Sequence, residues 1–328
     1  MLHIHNGGST AGTLRAFGFP GEHFAFQEVL MAGPTPQGFS PGEWRTLRAR
    51  FLANEYDLTL EDRERDLLEQ DEALGKFSEH EEVVLWFEHD LFCQINLIYL
   101  LDWFSKQPPC ANRLSLICIG EFPGVEDFRG LGQLTGEQLA SLFDLRHEVT
   151  EAGFSTAARA WAAYCSSDLE DIARLLDDDT SALPFLRNAL RLHLARFPSV
   201  RNGLGRVENL ALKLISNGAV AFKSLFPMFA KEQPDYGMGD LQLWCELKQL
   251  GNARQLPISV SGIRDDEPGS RRFHEALSEL TESGRSILAG ERDFIEMNRI
   301  DLWLGGVHLT DASMWRWDEQ GARLKQKG

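Results

Sequence analysis

Glu88, His89 and Asp90 follow directly on the apolar run 83–87, and Glu121 follows the next such run, 113–119. Imidazole and carboxylates gathered in this way could serve as a general acid and base, a carboxylate fixing the histidine tautomer, or could ligate a divalent cation. His3 and His5 stand two apart on the apolar opening stretch, so on a strand they share a face and could join the group. Consecutive residues at a strand end point in different directions, so Glu88, His89 and Asp90 cannot all ligate one ion without a bend. The plainer role for Asp90 is to cap a helix that begins at Leu91. The sequence names neither a metal nor a cofactor.

The opening turn is the second candidate. Asn6, Gly7, Gly8, Ser9 and Thr10 connect a short apolar strand to a helix over residues 9–17, which would aim backbone N–H groups and a helix dipole at an anion. The plainer reading is a strand-to-helix turn in which Ser9 or Thr10 caps the helix. Gly7-Gly8-x-x-x-Gly12 matches neither the dinucleotide fingerprint nor a Walker A loop, which needs a Lys followed by Ser or Thr. A His-x-His pair opens some barrel hydrolases, but no further barrel ligands accompany His3 and His5. Cys93, one turn past Asp90, is the thiol nearest to the carboxylates in sequence.

These residues need a scaffold, and residues 1–134 supply the pattern of one: short apolar runs alternating with amphipathic segments, the mark of an α/β, Rossmann-like domain with a mainly parallel sheet. Strands are expected near residues 2–4, 22–26, 83–87 and 113–119, with helices over 9–17, a long charged region 41–76, and 91–104. In such sheets ligands bind where the chain leaves the carboxyl ends of the strands. That places the opening turn, Glu88-His89-Asp90 and Gly120-Glu121 on one edge.

Residues 135–203 read as a helical connector with helices over 135–143, 155–166, 168–176 and 183–197, Pro184 suiting a first turn. From residue 204 onwards, helices over 206–216, 221–231 and 240–250, a hairpin made of a strand at 257–260, a polar loop and a return segment from Phe273, and a helix over 279–290 follow in the order of a winged helix-turn-helix. Residues 301–309 and 315–317 would close the domain as β-structure. Within the candidate recognition helix, Asp240 could cap the start, and Gln242, Lys248 and Gln249 are offset by Asp240 and Glu246, with no Arg. DNA binding is therefore possible but not favoured. Arg271 and Arg272 in the 264–272 loop could form a wing at a minor groove.

Charge is uneven: residues 1–203 carry 17 Lys+Arg against 31 Asp+Glu, a net of −14, and residues 204–328 carry 16 against 18, a net of −2. An acidic first part disfavours non-specific contact with phosphate backbones. Cys93, Cys110, Cys118, Cys165 and Cys245 are scattered, odd in number and free of any C-x-x-C pair, so reduced, mostly buried thiols are expected. With no membrane-length apolar run and no signal-peptide pattern, a cytoplasmic protein without a membrane partner is the default; a homo-oligomer is possible.

Several strings resemble an uncharacterised bacterial family, domain of unknown function 1835: His3-Ile4-His5-Asn6-Gly7, residues 84–92, residues 116–124, and Gly130-Leu131-Gly132-Gln133-Leu134, with Gly237-Met238-Gly239-Asp240 and residues 303–309 as the continuation of full-length members. The resemblance covers nearly the whole chain. The family's opening turn usually reads Asn-Gly-Asp-Ser, and Gly8 stands here where that Asp would be. Together these readings point to a ligand-binding regulatory or interaction protein holding a small anionic or nucleotide-like ligand at the strand ends. The competing expectation is a hydrolase or phosphoryl-handling enzyme working through His3, Glu88, His89, Asp90 and Glu121.

Overall fold

The structure, a computed structural model, describes residues 1–108, 113–218, 220–262 and 271–327. Cys110, residues 264–270 of the candidate wing, and the side chains of Arg271 and Arg272 lie outside them.

The chain opens with β1 (Leu2–Asn6), α1 (Gly8–Phe17), β2 (Glu22–Phe26) and the two-residue β3 (Gly33–Pro34), continues through α2 (Pro41–Glu55) and α3 (Leu60–Gly75), and then forms β4 (Glu82–Glu88), α4 (Leu91–Ser105) and β5 (Arg113–Ile119). The sheet order is β2-β1-β4-β5, every pair parallel, so the carboxyl ends of the strands share one edge. β4 is apolar on both faces because helices cover both, as parallel sheets require. Leu2, Ile4, Val83, Leu85 and Phe87 face α4, while Val84, Trp86 and Ile117 face α1 and the short α5 (Gly136–Ser141). Alternation thus sends His3 and His5 to the α1 side and Asn6 to the α4 side.

Local signals decide where the elements stop. The charged stretch 41–76, expected as one region, divides because Asp57 takes a left-handed φ of 53° and the Thr59 hydroxyl caps α3 by accepting from Asp62 N–H at 3.3 Å. α1 is capped by Gly7, at φ 99°, with no side-chain cap; Ser9 and Thr10 lie inside the helix, so the expected cap at either is corrected.

The connector adds to this sheet. β6 (His147–Glu148) pairs antiparallel with β5 and ends it, and α6 (Glu151–Tyr164), α7 (Glu170–Asp177) and α8 (Leu186–Leu194) follow, α6 and α8 packing on α4. One apolar cluster runs from β1 and α4 through these helices into the C-terminal part.

There the order is α9 (Arg206–Ile215), β7 (Val220–Ala221), α10 (Phe222–Glu232), α11 (Asp240–Gly251), β8 (Ile258–Ser261), β9 (Leu277–Leu280), α12 (Glu282–Ala289) and α13 (Phe294–Met297). β7, β9 and β8 form an antiparallel sheet in that order. Residues 279–290 do not form one helix: Leu280 ends β9, and the Thr281 hydroxyl starts α12 by accepting from Gly284 N–H at 3.0 Å. Gly239, not Asp240, caps α11. The chain closes with the hairpins β10 (Leu302–Gly305) with β11 (Val307–Leu309) and β12 (Met314–Asp318) with β13 (Arg323–Lys327), and β10 also pairs with β3, Leu304 opposite Gly33. Among the described residues no helix is long and apolar enough to cross a membrane.

Candidate functional site

β4 delivers Glu88 to the sheet edge, and the chain turns at His89 so that Asp90 caps α4, its Oδ1 accepting from Cys93 N–H at 2.8 Å. Capping fixes where the carboxylate points, and one helical turn brings Cys93 beneath it. Ligand atoms of Glu88, Asp90 and Cys93 all lie within 4.8 Å of one another. The Cys93 thiol donates to Glu88 Oε2 at 3.3 Å and receives Asn6 Nδ2–H at 2.7 Å. Asn6 is itself oriented by Asn96, whose Nδ2 donates to Asn6 Oδ1 at 2.7 Å and to Glu28 O at 2.8 Å. Leu131 N–H donates to the other Glu88 oxygen.

Above the three groups lies a cavity of about 420 Å³, which Asn6 and Arg129 help to line and which Phe226, Phe229 and Met238 close from the C-terminal part. Two glycines let backbone reach the carboxylates: a Cβ at Gly130 would come 2.8 Å from Glu88 Oε2, and one at Gly237 would come 2.2 Å from Asp90 Oδ1.

Burial dominates the electrostatics. It pushes Asp90 up to about 7, the neighbouring Glu88 charge adding to the effect, while the Cys93 amide pulls the other way. Glu88 is raised by the same burial and pulled back by the Leu131 amide and the Cys93 thiol. The Cys93 thiol is pushed well up by burial and then by the two carboxylates. Burial thus favours the protonated carboxyls unless positive charge stands beside them. A divalent cation would supply that charge, and two carboxylate oxygens with one thiolate is a donor set that suits a borderline-soft ion such as zinc. Three protein ligands leave a fourth position, on the cavity side, for water or ligand.

The structure brings together Glu88, Asp90 and Asn6 from the predicted residues, and leaves out others. His3 is corrected: it lies fully buried on the opposite face, its Nδ1 receiving Trp86 Nε1–H at 3.1 Å and its Nε2–H donating to Pro20 O at 3.1 Å. His5 donates through Nε2 to His23 Nδ1 at 3.0 Å, and His23 through Nε2 to Phe19 O at 3.1 Å. The three rings stack, with His3 to His23 at 4.8 Å between ring centres and His5 to His23 at 5.2 Å, and His5 Nδ1 is left buried without a partner. Burial lowers His3 to about 4 and His5 to about 2.

His89 turns away from the carboxylates against Phe128 and Phe185, its Nε2 3.6 Å from Asp235. Glu121 is exposed and lines no part of the cavity. In the opening turn, the Gly7 amide is spent on His5 O at 3.0 Å and Phe26 O at 3.1 Å, Gly8 and Ser9 are exposed, and Thr10 is buried. Asn6 therefore enters the site by its side chain rather than by a phosphate-cradling backbone.

Cys93 as a partner of the carboxylates, Asn96, Arg129 and the α10 wall are the members that motif reading passes over. A signal existed: Cys93, Gln94 and Asn96 are polar interruptions in the first turns of an otherwise apolar α4, and all three are buried. Another cavity, of about 640 Å³, lies elsewhere, between Trp44, Tyr99 and Trp161, and its charged groups are already paired, Arg45 with Asp71 at 2.9 Å and Lys106 with Asp102 at 2.6 Å. No protein-family model matches the chain, and no curated protein matches it.

Proposed function

We propose that the protein binds a small anionic molecule, of nucleotide-like size or less, at the carboxyl ends of β1, β4 and β5, through a divalent cation held by Glu88, Asp90 and Cys93. The observation that carries this reading is the convergence of those three ligand atoms within 4.8 Å beneath a cavity. The cation would neutralise the carboxylates, and Arg129, which lines the same cavity, then favours an anion alongside it. Membership of the family that the opening and Glu88 strings resemble belongs to the same reading, since the strings at 3–7, 84–92, 130–134 and 237–240 all contribute residues to this cavity or its supports. Titration calorimetry of the metal-free protein with Zn²⁺, then with inorganic phosphate and adenosine monophosphate, is the test. Zn²⁺ binding lost in Glu88→Gln, with phosphate or nucleotide binding only when Zn²⁺ is present, is the expected result; anion binding independent of the cation and of Glu88 sinks the proposal.

A second reading, a hydrolase or phosphoryl-handling enzyme at the same edge, draws support from the fourth cation position, where a bound water would be acidified. Phosphatase turnover abolished by Glu88→Gln with the fold retained would favour it. For the C-terminal part, the order α9, β7, α10, α11, β8, β9 supports a winged-helix-like reading. A docking rather than a DNA-reading role is favoured because the polar residues of α11 are engaged within the chain. Lys248 pairs with Asp57 at 3.3 Å, Gln249 donates to Glu55 at 3.4 Å, and Gln242 receives the Gly239 amide at 2.6 Å.

A further inference from the structure

A second polar cavity, of about 520 Å³, lies at the junction of α8 and α9 with α11 and the segment leading to β10. Arg196, Glu208 and Glu246 line it. The arginine is almost fully buried, with one terminal nitrogen donating to Met31 O and the other 3.9 Å from Glu246 Oε1, too long for a hydrogen bond. Glu208 stands in the first turn of α9, whose amides hold its carboxylate, yet its Oε2 is shut off from solvent and has no hydrogen-bond partner. Gly205 permits this placement, because a Cβ there would come 2.8 Å from that same oxygen and 2.3 Å from Arg196 O.

Glu246 therefore faces only a distant guanidinium whose hydrogen bonding is partly spent on backbone, and Glu208 Oε2 meets no donor. A buried acceptor with no donor forfeits its hydration without return, so such a site is completed by a ligand that brings both donors and positive charge. At the other side, Arg254 and Arg299 line the same cavity and are exposed.

We propose that this cavity binds a small zwitterion of the amino-acid class, its ammonium seated between Glu208 and Glu246 and its carboxylate at Arg254 and Arg299. An ammonium offers three donors in a compact head, which suits the vacant Glu208 oxygen and the under-satisfied Glu246 together. The cavity falls within the usual range of small-molecule sites, roughly 300–1,000 Å³. The proposal stands apart from the Glu88 site, sharing neither its residues nor its cavity.

The test is thermal unfolding and titration calorimetry of the full chain with lysine, 4-aminobutyrate, putrescine and glutarate at matched ionic strength. Lysine or 4-aminobutyrate is expected to raise the melting temperature by several degrees, putrescine less, and glutarate not at all. Glu208→Gln keeps an amide able to hold the first turn of α9 and so is expected to fold, and it should lose the response, as should Glu246→Gln; Glu88→Gln should keep it. A response of equal size in Glu208→Gln overturns the proposal. So does the absence of a response to every amine, which would make Glu208 a protonated structural carboxyl. Putrescine acting better than both zwitterions overturns the amino-acid class.

Discussion

The backbone of Gly237 stands so close to the Asp90 carboxylate that a Cβ at position 237 would lie 2.2 Å from Oδ1. A residue just before α11 thereby sets the position of a helix cap and candidate cation ligand that belongs to the N-terminal sheet. Gly237→Ala is expected to push Asp90 aside and weaken Zn²⁺ binding about tenfold or more, as loss of a group that orients a ligand does. Gly124→Ala is the control: its φ of 80° imposes similar backbone strain, about 1 kcal/mol, with nothing within 4 Å of the new Cβ. Denaturation curves separate the shared strain from the loss of binding, and equal Zn²⁺ affinity in the two variants would show that the contact at Asp90 does not matter.

Asp90→Asn separates stability from function. The folded Asp90 carboxyl sits near 7 against about 3.8 in the unfolded chain, so its contribution to stability is fully present below 3.8 and is lost as pH rises through about 7. The amide keeps the cap oxygen and carries no charge. The variant is expected to be more stable than the parent protein by about 1 kcal/mol or more at pH 8, to show a flatter alkaline limb, and to lose Zn²⁺. Urea midpoints at pH 5 and pH 8 measure this, and a variant destabilised at pH 8 contradicts it.

The histidine stack acts in the opposite direction. His3 near 4 and His5 near 2 are depressed from 6.5, so each contributes stability that is complete above 6.5 and is lost as pH falls. For His3 the loss is spread between 6.5 and 4 and is of the order of 3 kcal/mol, from 1.36 kcal/mol per pH unit of displacement. His3→Phe, which keeps the ring packing against Phe19 and Phe143, is expected to flatten the acid limb of a stability profile. Unchanged acid sensitivity would place the titrating groups elsewhere.

Arg48 is fully buried and pairs with Glu28 at 2.7 Å while donating to Ala32 O at 2.8 Å and Val29 O at 2.9 Å. Arg48→Ala removes the ion-pair partner of the buried Glu28 and a donor to these backbone carbonyls, and is expected to cost about 3–5 kcal/mol. Adding Glu28→Gln should recover part of that loss. Additive losses in the double variant would show that the two side chains are not coupled.

Much of this was legible in the sequence. Residues 22–26 and 113–119 are strands over the expected spans, and the shared strand-end edge follows from the alternation of elements. What escaped depends on face and partner rather than on type. His3 and Glu88 both sit on strands of one sheet, but parity carries the imidazole into the α1 layer, where Trp86 and Pro20 use both its nitrogens. Cys93 stands out in the sequence as the thiol one turn past Asp90, but only the Asp90 cap shows that it meets Glu88. The return segment expected from Phe273 forms its strand at Leu277–Leu280, and its end was hidden because Thr281 starts a new helix immediately, so two elements share one apolar pattern.

The pairing of Leu304 with Gly33 joins segments far apart in the chain, the later of them made long after the earlier. A ribosome would release β1, β2 and α2 long before β10 emerges, and until then the β3 edge would wait without its partner. Non-local pairings of this kind slow folding and leave exposed intermediates. Chains shortened before residue 302 should therefore accumulate with an open edge at Gly33–Pro34, a liability in proteostasis rather than in chemistry.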